Sequence, residues 1–285
     1  MAVPSPLLLA QSILAGLFVG SFYALLGLGV SLSWRFLRII NLAHFGLISL
    51  SAYLSYQLLS TIQINPLFAL VALVPLFFLV GMGMQALFMR FSVGEFASVL
   101  VTFGLMIVIE ALIQGVWTAD FRRLETPYST ASFTIGPVYV PVVEAAVFVV
   151  TIVVTISTWA WLRFTYMGKA LRASADNPNI AAAFAIDGRR LGVLLGGMGT
   201  ASGAAAGVVV ALITTLSPAQ VAAWIGVVLA TVILGGLGNP LGLLAAGIAI
   251  GVVEALTTAF TAPTWAPLVS FTLLILMLVL RPERL

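Results

Sequence analysis

The chain has 285 residues, 62% of them hydrophobic and only 7% charged, with a formal net charge of +3. A soluble domain carries about 25% charged residues, so this composition excludes an ordinary water-soluble enzyme or binding domain and describes a polytopic membrane protein. The absence of cysteine and the presence of one histidine, His44, exclude disulfides, thiol chemistry and paired-histidine metal sites; orientation in a membrane accounts for the basic excess, and no nucleic-acid partner or cofactor is implied.

The opening "MAVPSPLLLA" lacks the positive region of a secretory signal and runs directly into apolar sequence, so the first segment reads as a retained spanning helix. Apolar segments follow in order at about 9–34, 42–60, 66–89, 96–117, 141–162, 191–213, 223–237, 240–260 and 266–280. About twenty apolar residues cross the hydrocarbon core of a bilayer, which predicts about nine spanning helices, within a range of eight to ten. The segment 223–237 is short for a span and is flanked by "SPAQ" and "GGLGNP". In "LRIINLAHFG", Asn41 and His44 interrupt apolar sequence near the start of the second segment. Broken helices at matching places in two halves of a transporter point to its substrate site, so these two interruptions predict an internal repeat.

If every segment spans, the polar breaks alternate sides. Arg35, Arg38, Arg90, Arg163, Lys169, Arg172, Arg189, Arg190, Arg281 and Arg284 then share one side, and only Arg122 and Arg123 occupy the other. Basic residues favour the cytoplasm. This predicts an outside N-terminus, a cytoplasmic C-terminus, a cytoplasmic stretch at about 164–190 and an external loop at 118–140.

That cytoplasmic stretch includes "GKALRASADNPNIAAAFAIDGRR", residues 168–190, where Lys169, Arg172, Asp176, Asp187, Arg189 and Arg190 concentrate charge in a chain nearly devoid of it. Asn177 followed by Pro178 is a helix start, with Asn capping and Pro at the first helical position. "NIAAAFAI" reads as helix and Asp187-Gly188 as its stop, giving a helix of about nine residues, roughly 14 Å long. Positive-inside bias explains the arginines but not a capped, alanine-rich helix too short to span.

Inside the apolar segments, glycines recur at four-residue spacing: Gly16 and Gly20, Gly192 and Gly196, Gly199, Gly203 and Gly207, Gly247 and Gly251. Such spacing lets helix backbones approach closely, either within the chain or against a second subunit. Glu110 and Glu254 lie within spanning segments, where carboxyl groups are costly. A hydrogen-bonded pin between helices and a proton or ion relay are both open, although a relay normally needs more such groups in reach. His44 fits either a histidine satisfied by carbonyls or, with Asn41 and Phe45, the wall of a translocation path. Gly168-Lys169 leads into Ala170 without the preceding glycine of a phosphate-binding loop, so this chain does not bind ATP through that motif.

Three stretches now carry a likeness that runs nearly end to end. "RIINLAHFGLISLSAYL", "GKALRASADNPNIAAAFAID" and "ATVILGGLGNPLGLLAAGIAIGVVEAL" resemble, in order, the Ile-Asn-Phe-Ala-His-Gly-Glu segment, the coupling loop and the glycine-rich late segment of permease subunits in the branched-chain amino acid class of bacterial ATP-binding-cassette importers. Asn41, Ala43 and His44 match in the first; Gly168, Arg172, Ala173, Ala175, Asp176, Ile186 and Asp187 in the second; Gly235, Gly236, Gly238, Gly251 and Glu254 in the third. After His44 the family usually has Gly and then an acid, whereas this chain has Phe45 and Gly46. Ala185 also stands where the family usually has Gly.

The resemblance implies one all-α permease domain over residues 1–285 in the bacterial inner membrane, non-catalytic itself. It would pair with a second permease subunit, two cytoplasmic ATPases and a periplasmic substrate-binding protein, in contact with membrane lipid. Asn41, His44, Phe45, Gly235 and Gly236 would line the substrate path. Gly168, Arg172, Asp176, Asn177, Pro178, Ala182, Ile186 and Asp187 would form the ATPase coupling surface, leaving Glu110 and Glu254 structural. The cargo would be branched-chain or other small amino acids, or urea or short amides. A secondary transporter driven by a proton or sodium gradient is the competing class, and an intramembrane enzyme is disfavoured because no serine-histidine motif stands out and metal ligands are too few.

Overall fold

A computed structural model describes residues 5–63, 65–125, 131–218, 220–261 and 263–280; Arg281 and Arg284, expected in the cytoplasm, lie outside them. The helices are α1 (Pro6–Leu37), α2 (Ala43–Thr61), α3 (Pro66–Arg90), α4 (Glu95–Trp117), α5 (Val142–Phe164), α6 (Tyr166–Asp176), α7 (Pro178–Ala183), α8 (Gly188–Ile213), α9 (Gln220–Ala223), α10 (Ile225–Gly235), α11 (Pro240–Phe260) and α12 (Ala266–Leu280). A short hairpin, β1 (Ser132–Ile135) and β2 (Val138–Pro141), joins α4 to α5. Gly136 supplies the positive φ of 61° at its turn. Each of the nine apolar segments coincides with a helix.

Among the described residues, six helices are long and apolar enough to cross a membrane: α1, α3, α4, α5, α8 and α11. Helix α2 has sufficient length at 19 residues but is less apolar, with His44, Ser49, Ser51, Ser55 and Gln57 along it. Helix α10 has only 11 residues, about 16 Å of rise, half of the hydrocarbon thickness. Helix starts are chemically fixed: the side chains of Ser5, Asn65, Thr165, Asn177, Asp187 and Asn239 each accept a hydrogen bond from a first-turn N–H. Each such cap contributes about 1 kcal/mol.

The packing has a swapped symmetry. The most extensive helix pairs are α1 with α11 and α3 with α8. Helix α2 flanks α8 while α10 flanks α1, and α4 packs on α2 as α12 packs on α10. Exchanging α1, α2, α3 and α4 for α8, α10, α11 and α12 therefore preserves these pairs, although α11 also packs on α12 with no comparable contact between α3 and α4. Helices α1 and α8 meet at the centre, with Gly29 near Gly199 and Leu37 near Gly192, so they run in opposite directions. This is the contact pattern expected of an inverted repeat, an architecture that places sites at the repeat interface.

Small residues make this scheme possible. A Cβ on Gly16 or Gly20 would overlap the backbone of Gly251, Val252, Gly247 or Ile248 on α11; one on Gly81 would overlap Gly196 and Thr200. Lipid supplies no hydrophobic force to drive helices together, so such close backbone approach gains dispersion contacts instead. The four-residue glycine patterns thus serve packing within this chain. Helices α3, α4 and α5 present large apolar side chains outward, including Phe68, Leu79, Phe96, Leu112 and Val149.

The ends sort the charges. Gly168 packs on the last turn of α5, Met89 reaches Gly192, and Gly238 packs on Arg35, so the ends of α1, α3, α5 and α10 share a face with the starts of α6, α8 and α11. Arg35, Arg90, Arg163, Lys169, Arg172, Arg189 and Arg190 all belong to that end. Arg122 pairs by backbone with Leu216, beyond the far end of α8. The opposed ends are those required by alternating spans.

Candidate functional site

Two regions hold the site residues expected from sequence. The first surrounds the break between α1 and α2. Arg38 ends α1 in the left-handed region, with φ 54°. The chain then runs without helix to α2, and Thr102 of α4 stitches it: its Oγ1 accepts from Leu42 N at 3.0 Å and donates to the backbone oxygens of Ile40 and Ser98. Asn41 in this break is buried, with its Oδ1 unpaired. His44 is 2% exposed and its Nε2 lies 3.2 Å from the carbonyl of Leu26, to which it donates. A Cβ on Gly29 of α1 or Gly203 of α8 would collide with its imidazole. His44 is thus wedged where α1, α2 and α8 meet, and the two glycines make the room. Phe45 is fully buried, edge-on to His44.

Gly235 and Gly236 lie at the end of α10, whereas Asn41, His44 and Phe45 lie at the start of α2. Gly235 ends α10 against the backbone of Leu243, while Gly236 has φ 84°. Helix α10 lies on the α1 side of the central pair and α2 on the α8 side. The structure therefore sets the two groups of expected pathway residues on different sides of the central pair, not in one cluster. Ser49 and Tyr53, one and two turns along α2 from Phe45, also bury unpaired oxygens; neither was singled out from sequence, where serine and tyrosine in a spanning helix carry no distinctive spacing.

The two acids differ in setting. Glu254 of α11 is 9% exposed, accepts from the Tyr23 hydroxyl of α1 at 3.1 Å, and accepts from the Ser270 hydroxyl of α12. It joins three helices. Glu110 of α4 is half-buried, and Gln114 one turn on donates to it at 3.4 Å. An apolar cavity of about 280 Å³ between α3, α5 and α8 is lined by Pro66, Leu70, Val143, Val147, Val209 and Leu212, with Asn65 at its edge. It offers a zwitterion almost no hydrogen bond.

The second region is the charged stretch. Asn177 caps α7 through its side chain, which accepts from Ile180 N at 3.1 Å, and Pro178 is the first helical residue. The helix spans six residues, shorter than the nine expected. It stops because Ala185 turns left-handed at φ 59°, with Ile186 N bonding to Ala181 O and Ala185 N to Ala182 O, the two bonds of a Schellman ending. Asp187 belongs to the next element: its carboxylate accepts from Arg189 N and Arg190 N and starts α8. Helix α6 precedes, with Gly168 pressed against Trp161 and Leu162. Arg172 is exposed on α6, and Asp176 at its end forms an ion pair with Arg35 at 2.8 Å. Ala182 and Asn177 are exposed, and so are the large side chains Ile180, at 57%, and Phe184, at 76%. These last two were not singled out from sequence, although their four-residue spacing on a charged segment marks an apolar surface.

Fold and site together define a polytopic helical membrane protein with a short exposed helix carried on its charge-rich end. The chain belongs to the family described as branched-chain amino acid transport system / permease component, matched over residues 12–278. It is 25% identical over 288 residues to the high-affinity branched-chain amino acid transport system permease protein LivH of Escherichia coli K12, an alignment covering 95% of this chain and 93% of that protein. The protein of the same description in Salmonella typhimurium LT2 is 24% identical over 291 residues, with the same coverage. No solved structure matches.

Proposed function

We propose that this chain is the membrane-spanning subunit of an ATP-driven importer for branched-chain or other small aliphatic amino acids in the bacterial inner membrane. A second permease subunit completes the pathway, two cytoplasmic ATPases seat on the α7 face, and an external binding protein delivers the cargo. The inverted repeats supply two halves that rock about the α1–α8 centre, giving alternating access. The observation that carries the reading is the α7 knob. A capped helix exposes Ile180 and Phe184 on the basic end of the molecule, which positive-inside bias assigns to the cytoplasm. An apolar pair exposed there is an anchor for another protein.

Ala182→Glu tests it. A charge in a desolvated contact opposes docking, so the variant inserts and folds but loses copurifying ATPase and substrate-stimulated ATP hydrolysis. A variant that retains its ATPase and transports leucine at the native rate would reduce this segment to a positive-inside loop. A secondary transporter needs a carboxyl free to exchange protons with the pathway, whereas Glu254 is held by two hydroxyls from neighbouring helices.

A further inference from the structure

We propose that Arg35 is a positioning residue that transmits motion of the coupling segment to the α10–α11 turn, an inference that rests on the function proposed above. Three elements converge on it. Its guanidinium Nη2 lies 2.8 Å from Oδ1 of Asp176, and Asp176 immediately precedes Asn177, the cap of α7. Whatever moves α7 therefore displaces the partner of Arg35 first. The stem of the same side chain faces the turn between α10 and α11, where a Cβ on Gly238 would collide with Cβ and Cγ of Arg35 and the ring of Phe36. Gly238 itself is held at φ 73° and donates its N–H to Ser31 Oγ, one turn earlier on α1, at 3.0 Å.

This ion pair is a poor candidate for holding the fold together. The two side chains are 44% and 67% exposed, and exposed pairs contribute little to stability. Position gives it consequence. Lys169 and Arg172 on α6 belong to the same end of the molecule, yet the acid at the α6–α7 junction bonds to a residue on α1. Helix α1 is the helix on which α11, α8 and α10 all pack. Pulling Asp176 shifts the end of α1 together with the turn resting on the Arg35 stem, and that turn joins the half-length helix α10 to α11. The link thus joins the surface where the ATPase seats to the turn beside Gly235 and Gly236, expected to line the pathway.

The chain lacks cysteine, so Leu237→Cys provides a single label beside Gly238 without removing the caps at Asn177 or Asn239. The complex copurified with the native ATPase is reconstituted in lipid vesicles, and thiol labelling at 237 is compared without nucleotide and with ATP trapped by vanadate. The expected result is an ATP-dependent change in labelling that Arg35→Asp and the milder Arg35→Gln diminish at least roughly fivefold, the lower end of ordinary coupling between sites. ATPase retention and hydrolysis persist in both. Charge reversal, Arg35→Asp with Asp176→Arg, restores the change. The response is scored per ATPase bound, because Asp176 belongs to the expected coupling surface, and a structural role alone does not produce that rescue.

Native labelling that ignores ATP, single variants with the native response, or a reversed pair that fails to restore it would each overturn the link. If no ATPase copurifies with the native chain, the function proposed above falls instead, and the two failures are told apart at the first step.

Discussion

The Tyr23 hydroxyl donates to Glu254 Oε2 at 3.1 Å across the α1–α11 crossing. Ser270 donates to the other oxygen from α12, so one carboxyl gathers the first helix and the last two long ones. Acids are costly inside a bilayer, and this one has both oxygens satisfied. Glu254→Gln keeps one acceptor and the side-chain shape, and is expected to preserve transport with a modest fall in thermal stability. Glu254→Leu leaves the buried Ser270 hydroxyl without its acceptor, at about 1–3 kcal/mol, and the half-buried Tyr23 hydroxyl as well. Thermal unfolding of both variants in detergent, with uptake measured in parallel, checks the order native, Gln, Leu; equal loss of uptake in both at full stability would give Glu254 a part in transport.

Glycine positions separate sharply by environment. A Cβ on Gly20 would meet the backbone of α11, whereas Gly83 and Gly104 have open space around them. Gly20→Leu should force α1 off α11 and cost more than the 1–3 kcal/mol of ordinary overpacking, because backbone cannot move aside as a side chain can. Gly83→Ala and Gly104→Ala should be neutral or slightly stabilising, since alanine favours helix. Monodispersity after extraction reads out all three.

Gly203→Ala addresses the histidine. Its Cβ would run into the imidazole of His44, and a spanning helix has little room to repack. The variant should lose stability, and adding His44→Ala should recover part of that loss by vacating the space. The double-mutant cycle measures this as a coupling of about 0.5–3 kcal/mol between contacting residues; additive losses would show that the two side chains do not compete for one space.

Ala185 is strained in a way that can be relieved. A left-handed conformation costs an L-residue roughly 1–2 kcal/mol, and at Ala185 it accompanies the end of α7. Ala185→Gly should therefore stabilise the segment, and Asn177→Ala should weaken it by about 1 kcal/mol. Amide exchange of Ala181 to Ile186 reports both changes: slower exchange in the first variant, faster in the second.

Topology can be read by labelling. Cysteines placed singly at Ser132 and Asn179 are expected to react from opposite faces of sealed membranes, Asn179 from the cytoplasmic one. Reaction of both from the same face would break the alternation on which the orientation rests.

Periodic and compositional features were legible in the sequence. All nine apolar segments are helices, since hydropathy alone determines what a bilayer accepts. The caps at Asn177 and Asn239 were local and therefore readable in principle, and the first was read. The end of α7 was misplaced because alanine is an excellent helix former, and only its left-handed φ at 185 reveals the stop. Asp187 looked like part of a terminator but starts the next helix, an ambiguity of any Asp-Gly between two helical runs. The partners of Glu254 were hidden for a different reason. Tyr23 lies 231 positions away in sequence, and no local pattern encodes a contact between segments so far apart. The weak likeness between the two interruptions did not tell which helix packs on which.

The swapped arrangement bears on biosynthesis. Helix α1 leaves the ribosome long before α11, yet the backbone its glycines are shaped to meet belongs to α11. At about 5–20 residues per second, α1 waits on the order of ten to fifty seconds before that partner exists. During this interval Gly16 and Gly20 present bare backbone to lipid or to the insertion machinery. A nascent chain halted after α4 contains a complete set of early spans and, of the contacts that hold α1 in place, only those with α2 around His44. Substitutions late in the chain, at Gly247 or Gly251, should therefore be recognised by membrane proteases as defects of the first helix.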